Sequence, residues 1–402
     1  MSRAALEWMQ KELASYEERG RLRTLAECEP LETGWLRRNG VRMLNLASND
    51  YLSLGSEGDD LHEPEQSAAS DGRETERARR STGSTASRLI VGNHPEYTAF
   101  EEEFAAYKGT ESCLLFGSGY LANVGVIPAL VGRHDVVFGD RLNHASLVDG
   151  IVLSRAEHKR YRHRDLDQLE TMLRSTPAGR KKLIVTDSIF SMDGTVAPLC
   201  ELVWLKDRYG AMLMVDEAHS GGLYGEEGQG LVHALGLSGQ VEVQMGTFSK
   251  AYGVYGAYVA GKHLLKSYLV NAARSFIYTT ALPPDLVATI RRQWRRVRQE
   301  SWRRRALQEK AAMFRSILRQ HGLDTGQSEC HIVPVIIGGN EETLRMAERL
   351  QLAGIAAVAI RPPSVPEGTA RIRFTIMAGH RDEDLRWAAN QIVKCREQAG
   401  GA

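Results

Sequence analysis

The sequence predicts an α/β protein: a large domain on a mostly parallel sheet flanked by helices, followed by a smaller α+β domain. From about residue 97, short continuous apolar runs alternate with longer helical segments. The runs are SCLLF (112–116), DVVFGD (135–140), KLIVTD (182–187), AMLMVD (211–216) and VEVQMGTF (241–248). Uninterrupted apolar runs suit strands buried on both faces, and their alternation with helices suits parallel pairing. After Pro283-Pro284 the pattern changes to a long helix and then to mixed strands and helices.

Taken in order, residues 3 to about 25 have helical periodicity, with Leu6, Met9, Leu13 and Tyr16 on one face. WLRRNGVRMLNL reads as a hairpin turning at Asn39-Gly40. The polar stretch from Ser56 to Arg80 reads as a loop or an exposed helix. Beyond Pro284 a long helix directs Trp294, Val297 and Trp302 toward the protein and its arginines elsewhere. HIVPVIIG, a helix near 341–353, IAAVAI, ARIRFTIMA and a last helix complete the chain. The expected divisions are an N-terminal helix and hairpin segment (1–60), a large cofactor-binding domain (61–285) and a C-terminal α+β domain (286–402).

Bulk properties narrow the function classes. The 402 residues are 43% hydrophobic and 25% charged, ordinary for a globular enzyme. A net charge of +1 provides no whole-molecule field for nucleic acid or an anionic membrane, and no apolar run reaches membrane-span length. The five cysteines are scattered without a CxxC pair, so neither a disulfide framework nor a zinc site is expected. The first twenty residues carry four Glu and no apolar h-region, unlike a signal peptide. A cytoplasmic protein with no structural metal is the expectation.

In an open sheet of this class, chemistry collects beyond the carboxyl ends of the strands. SCLLF ends in GSGYLAN, where Gly117 and Gly119 can present backbone N–H groups to an anion at a helix start; many strand-to-helix turns look the same. His144 opens a helix that Asn143 or Ser146 could cap, and a single His is more commonly structural than catalytic. Ser191 and Asp193 lie beyond the third run. Asp216 ends a buried run, and an acid so placed needs a cation or strong donors. A metal held by Asp216, Glu217 and His219 is one candidate, although no further His cluster completes it. A protonated heterocycle nitrogen is the better one.

Lys250 sits in GTFSKAYGVYG, one apolar run after Asp216. A lysine desolvated beside another cation titrates low and becomes a nucleophilic amine suited to a Schiff base. Pyridoxal 5'-phosphate supplies each missing piece: an aldehyde for Lys250, a pyridinium nitrogen for Asp216, and a phosphate for Thr247, Ser249 and the Gly-Ser-Gly turn. Gly253 and Gly256 then read as backbone that closely approaches the cofactor.

With these motifs the chain resembles the α-oxoamine synthases, a family of fold-type I pyridoxal phosphate enzymes. The resemblance runs through LNLASNDYLSL (44–54), GSGYLAN (117–123), DRLNHASLVDG (140–150), SIFSMDGTVAPL (188–199), VDEAHSGGLYGEEGQG (215–230), TFSK (247–250) and IYTTALPP (277–284). It implies a seven-stranded sheet and a homodimer with shared sites. It also implies decarboxylative condensation of an amino acid with an acyl thioester. By resemblance, His144 stacks on the ring, Asp216 pairs with its nitrogen, His219 contacts its hydroxyl, and Lys250 binds the aldehyde and later moves the substrate proton. Ser118, Gly119, Tyr120 and Ser191 line the cofactor site, Thr247 lies near the phosphate, and Thr279 or Thr280 reaches the partner's phosphate. Asn49 and Arg373 hold the amino acid, Arg373 by its carboxylate.

AIRPPSVPEGTARIRFTIMAGH (359–380) looks most like the family member of biotin biosynthesis, which uses L-alanine and pimeloyl-CoA or pimeloyl-acyl carrier protein. Arg23 resembles that member's N-terminal substrate contact, and Ser364 stands where threonine is common. Rival readings are a sibling that joins glycine to acetyl-CoA or succinyl-CoA, or serine to a long acyl thioester; an aminotransferase; and a non-catalytic subunit, which the presence of Lys250, Asp216 and His144 opposes. The arginine-rich helix at 291–305 reads as a solvated face rather than a nucleic-acid site, with some arginines available to an anionic acyl carrier.

Overall fold

Helix Glu7–Glu18 is the first element of the computed structural model, which describes residues 6–55 and 82–400. Its periodic residues Leu6, Met9, Leu13 and Tyr16 are exposed, as is Trp8. Strands β1 (Cys28–Pro30), β2 (Trp35–Arg38) and β3 (Val41–Asn45) follow as an antiparallel meander. Asn39 (φ 47°) and Gly40 (φ 82°) are both left-handed, the geometry that lets a two-residue turn follow strand twist. The stretch expected as a loop or exposed helix at 56–80 lies outside the described residues.

The chain divides into two units, one spanning 57–190 and 196–304, the other 1–56, 191–195 and 305–402. In the larger unit the five apolar runs form β4 (Ser112–Phe116), β5 (Val136–Asp140), β7 (Lys182–Asp187), β8 (Met212–Asp216) and β9 (Val243–Thr247). Two further strands complete a seven-stranded sheet: β6 (Glu157–Tyr161) and β10 (Ala257–Gly261), in the order β4-β10-β9-β8-β7-β5-β6. β6 escaped the apolar pattern because its sequence is EHKRY. It is an edge strand, where charge discourages pairing with another chain. β10 runs antiparallel to both neighbours, and the other pairings are parallel. Apolar clusters cover both faces: Leu114, Val126, Val185 and Met245 in one, Phe138, Leu169, Leu202 and Val215 in the other.

The long helix after Pro283 is two helices, Pro284–Gln299 and Ser301–Gln320. Arg296 and Arg303 both pair with Glu300 at the break. Trp294 and Val297 are buried as expected, but Trp302 is half exposed against the Arg303 guanidinium. The break resets the helical phase, and Leu307, Ala311, Phe314 and Leu318 are the buried apolar positions beyond it. Residues 286–304 fall in the larger unit, where Trp294 meets Phe100 and Phe104 at 5.7 and 6.0 Å, although the double proline suggested a boundary before them. Arg291 and Arg298 are tied to Glu103 and Glu227 within the larger unit.

In the smaller unit β11 (Ile332–Gly338), β13 (Val358–Ile360) and β14 (Ala370–Thr375) form an antiparallel sheet in the order β11-β14-β13. Strand β12 (Ile355–Ala356) instead pairs with β3, so the N-terminal meander gains a strand from the C-terminal segment. Among the described residues no helix is long and apolar enough to cross a membrane.

Candidate active site

The strand ends of the larger unit bring three distant motifs together. Asp216 ends β8 and is 4% exposed. Its Oδ1 accepts the Ala218 N–H at 2.9 Å, and its Oδ2 accepts from Asn123 Nδ2 at 2.9 Å. The other hydrogen of that amide goes to Ser146 Oγ at 2.9 Å. Ser146 Oγ then lies 2.7 Å from His144 Nδ1, which also accepts the Ser146 N–H at 3.2 Å. The backbone N–H makes Nδ1 an acceptor, so the proton of a neutral imidazole is on Nε2 and the Ser146 hydroxyl donates to Nδ1. A continuous relay thus runs Asp216–Asn123–Ser146–His144.

His144 itself caps helix Ala145–Ser154, the task expected of Asn143 or Ser146. Asn143 instead bonds the Val185 carbonyl at 2.8 Å. Desolvation lowers the His144 pKa; the Asp216 charge opposes this and the Lys250 charge reinforces it. Asp187 ends β7 directly opposite Asp216 in the register. Its Oδ2 accepts the His144 N–H at 2.8 Å, and burial followed by the Asp216 charge drives its pKa well up. Asn123 and Asp187 were not singled out from sequence, and Ser146 only as a candidate cap. Asn123 had a signal, as the one amide side chain on the otherwise apolar helix Gly119–Leu130.

Lys250 follows β9, and its Nζ lies 3.0 Å from Nε2 of the buried His219. Glu217 does not join Asp216 and His219. It turns to Lys108 in a fully buried ion pair, and among the described residues no group of three acids, histidines or cysteines could hold a metal. The Thr247 hydroxyl donates to the Gly256 carbonyl at 2.8 Å and accepts the Ser249 N–H at 3.1 Å, so its proton is committed within the loop. Gly253 and Gly256 are also required by the backbone. Both have positive φ, and a Cβ on Gly256 would meet Ile290 Cδ1 at 2.9 Å.

Ser118 caps helix Gly119–Leu130 by accepting the Leu121 N–H at 3.2 Å. The first two N–H groups, of Gly119 and Tyr120, precede that capped position and face outward from the helix start, an anion seat. A Cβ on Gly119 would stand 3.8 Å from Thr247 Cβ, which sets this seat beside the end of β9. The Tyr120 side chain points to helix Ala145–Ser154, donating to Asp149 at 2.6 Å. Thr279 and Thr280 line a small pocket with Arg88, Tyr97 and Phe116.

In the smaller unit Arg373, on β14, is 7% exposed. It donates from Nε to the Ser191 carbonyl at 2.6 Å, from Nη1 to Thr375 Oγ1 at 3.0 Å and from Nη2 to Asn49 Oδ1 at 3.0 Å. Two residues earlier on the same face, Arg371 holds Asp193 at 2.6 Å. The two arginines of β14 thus grip the Ser191–Thr195 loop. Arg23 and Ser364 are both exposed. Arg21 pairs with Glu367 at 2.6 Å, and burial followed by the charge of Arg23 lowers the Arg361 pKa, so the N-terminal stretch and the 361–368 turn are neighbours.

Residues 41–392 match the model of the aminotransferase class I and II family. A Halalkalibacterium halodurans protein named "Putative 8-amino-7-oxononanoate synthase" is 50% identical over 386 residues, covering 96% of this chain and 95% of its own. The chain belongs to the aminotransferase class I and II family, within it to the α-oxoamine synthases. A Bacillus mycoides protein of the same name is 49% identical over 393 residues, 98% of this chain and 97% of its own. Among solved structures, a serine palmitoyltransferase from S. paucimobilis with bound PLP and myriocin superposes with a TM-score of 0.87 at 29% identity, covering 99% of each chain. An 8-amino-7-oxononanoate synthase from Francisella tularensis gives 0.73 at 26% identity, over 89% of this chain and 98% of that one. This α-oxoamine synthase has the fold-type I architecture of those neighbours.

Proposed function

We propose that this α-oxoamine synthase joins L-alanine to a pimeloyl thioester, carried on CoA or on acyl carrier protein. The products are 8-amino-7-oxononanoate, CO2 and free thiol, in biotin biosynthesis. Relatives of that name near 50% identity support the reading, and the geometric observation that carries it is the Asp216–Asn123–Ser146–His144 relay. The residues fit pyridoxal 5'-phosphate. They provide a buried carboxylate at a strand end, a helix-start anion seat beside Thr247, and a lysine just beyond β9.

When bound, this cofactor supplies an aldehyde for the amine and a ring that withdraws electrons from the amino acid's Cα. Asp216 would hold the ring nitrogen's proton, and Asn123 and the Ala218 N–H hold its carboxylate in place. His144 would cover the ring, and His219, which positions Lys250, would meet its hydroxyl. Lys250 Nζ takes the proton from Cα and returns one after CO2 departs. Ser118, Gly119, Tyr120, Ser191 and Thr247 line the cofactor, with Gly119 and Tyr120 offering backbone N–H groups to the phosphate. Arg373 and Asn49 hold the substrate carboxylate, while Arg23 and Ser364 contact the acyl chain. In a cytoplasmic homodimer, Thr279 and Thr280 reach the partner subunit's phosphate.

A sibling reaction, serine with a long acyl thioester, is the second reading, favoured by the serine palmitoyltransferase neighbours. Purified holoenzyme offered L-alanine, glycine or L-serine with pimeloyl-CoA or palmitoyl-CoA decides between them through thiol release and product mass. The proposal requires the L-alanine and pimeloyl-CoA pair to turn over fastest. Turnover confined to serine with palmitoyl-CoA, or to glycine, overturns it. Asp216→Ala should lose turnover more completely than it loses cofactor.

A further inference from the structure

In the smaller unit one side-chain amide has its orientation dictated on both sides. Asn49 Oδ1 accepts from Arg373 Nη2 at 3.0 Å and from the Tyr51 hydroxyl at 3.2 Å. Arginine can only donate, so the amide oxygen, and not Nδ2, faces Arg373. The Tyr51 hydroxyl proton is thus directed to the Asn49 oxygen.

Tyr51 is fully buried, and its ring meets His331 edge-on at 4.1 Å. Its N–H bonds the Asn49 carbonyl at 2.8 Å, and its carbonyl accepts the Ala378 N–H at 2.8 Å. Burial pushes the phenol pKa well up, so the hydroxyl keeps its proton across the working range. This arrangement fixes the Asn49 oxygen between two donors, the Arg373 guanidinium and the Tyr51 hydroxyl. What it leaves presented from half-buried Asn49 is Nδ2, a donor.

We propose that Tyr51 is a positioning residue for amino acid recognition, fixing Asn49 so that its Nδ2–H, beside Arg373, meets the substrate carboxylate. The inference rests on the reading that Asn49 and Arg373 hold that carboxylate, and it adds how the neutral donor is aimed. An amide free to rotate would offer its oxygen to a carboxylate as readily as its nitrogen, and the oxygen would repel it.

The test is binding to the holoenzyme, followed by the change in cofactor visible absorption as amino acid is added without thioester. Tyr51→Phe removes only the hydroxyl and keeps the ring against His331. It should weaken L-alanine by about three- to tenfold, the scale of one hydrogen bond, with kcat nearly unchanged. L-Alaninamide, which has no carboxylate, should bind the variant as it binds the parent. In an Asn49→Ala background Tyr51→Phe should add little.

Asn49→Asp gives an independent check. It keeps an acceptor for Arg373 and Tyr51 but replaces the donor with a carboxylate oxygen, and should weaken L-alanine by more than about tenfold. An unchanged L-alanine affinity in Tyr51→Phe while Asn49→Ala is impaired overturns the proposal alone. So does an equal loss for L-alanine and L-alaninamide. If Asn49→Ala and Arg373→Lys both leave L-alanine binding intact, the carboxylate site is misassigned and the proposal falls with it.

Discussion

Lys108 and Glu217 form an ion pair in which both side chains are 0% exposed, and it stands directly behind Asp216. Lys108 is the last residue of helix Pro95–Lys108 and also donates to the Gln229 carbonyl. Glu217 Oε1 accepts the Val232 N–H at 2.9 Å and the Ser220 hydroxyl at 3.3 Å. The pair therefore ties a helix end, the tip of β8 and the glycine-rich loop at 222–230 together. Lys108→Met leaves the Glu217 charge buried with neutral donors alone. Removing one member of a buried pair costs about 3–5 kcal/mol. For a unit of this size each kcal/mol lowers the melting temperature by about 2–4 °C, so the variant should melt about 6–20 °C lower.

The assay is thermal unfolding of the holoenzyme followed by circular dichroism. Lys108→Met/Glu217→Gln removes both charges, while the Gln oxygen still accepts the Val232 N–H. It should recover at least half of the loss, because a buried pair replaced by neutral groups is often nearly neutral in free energy. A Lys108→Met protein melting within about 2 °C of the parent would refute the reasoning. A double variant no better than the single would show that packing, not charge, set the cost.

Three further outcomes follow from single contacts. His380 is 1% exposed; its Nδ1 accepts the Met377 N–H at 3.0 Å and its Nε2–H meets the Asn45 carbonyl at 3.0 Å. Burial holds its pKa down to about 4, against about 6.5 when unfolded. The native state then refuses a proton that the unfolded state takes. Stability is full above about pH 6.5 and falls by about 3 kcal/mol on acidification to about pH 4. Urea titrations should show this slope, flattened in His380→Gln. Gly246→Ala would set a Cβ against the buried Tyr258 ring, 2.8 Å from its Cε1. Overpacking of this kind costs about 1–3 kcal/mol, read as a lower urea midpoint. Asn123→Leu removes a donor from Asp216 and breaks the relay to His144. Cofactor should dissociate several-fold faster, measured by dilution and absorbance.

The sequence alone determined the elements with strong local signals. The buried runs became β4, β5, β7, β8 and β9 because continuous apolar strands need cover on both faces, which the flanking helices supply. Asn39-Gly40 turned where both residues tolerate left-handed backbone. Strand-end logic also brought Asp216, His219 and Lys250 under notice before any coordinates. What it could not reach depends on residues far apart in the chain. The strand Glu157–Tyr161 is too charged to announce itself, and only edge pairing with β5 makes it a strand. Trp302 left the buried face because the helix breaks at Glu300.

Glu217, adjacent to Asp216, was drawn away by Lys108, more than a hundred residues earlier. The relay through Asn123 and Ser146, and the bond from Arg373 onto the Asn49 oxygen that Tyr51 shares, each depend on hydrogen bonds between residues far apart in the chain. A hydrogen bond depends on distance and direction, and spacing along a chain encodes neither until the sheet has set them. Apolar periodicity reports where a residue is buried; only the packed structure decides which polar atoms it meets there.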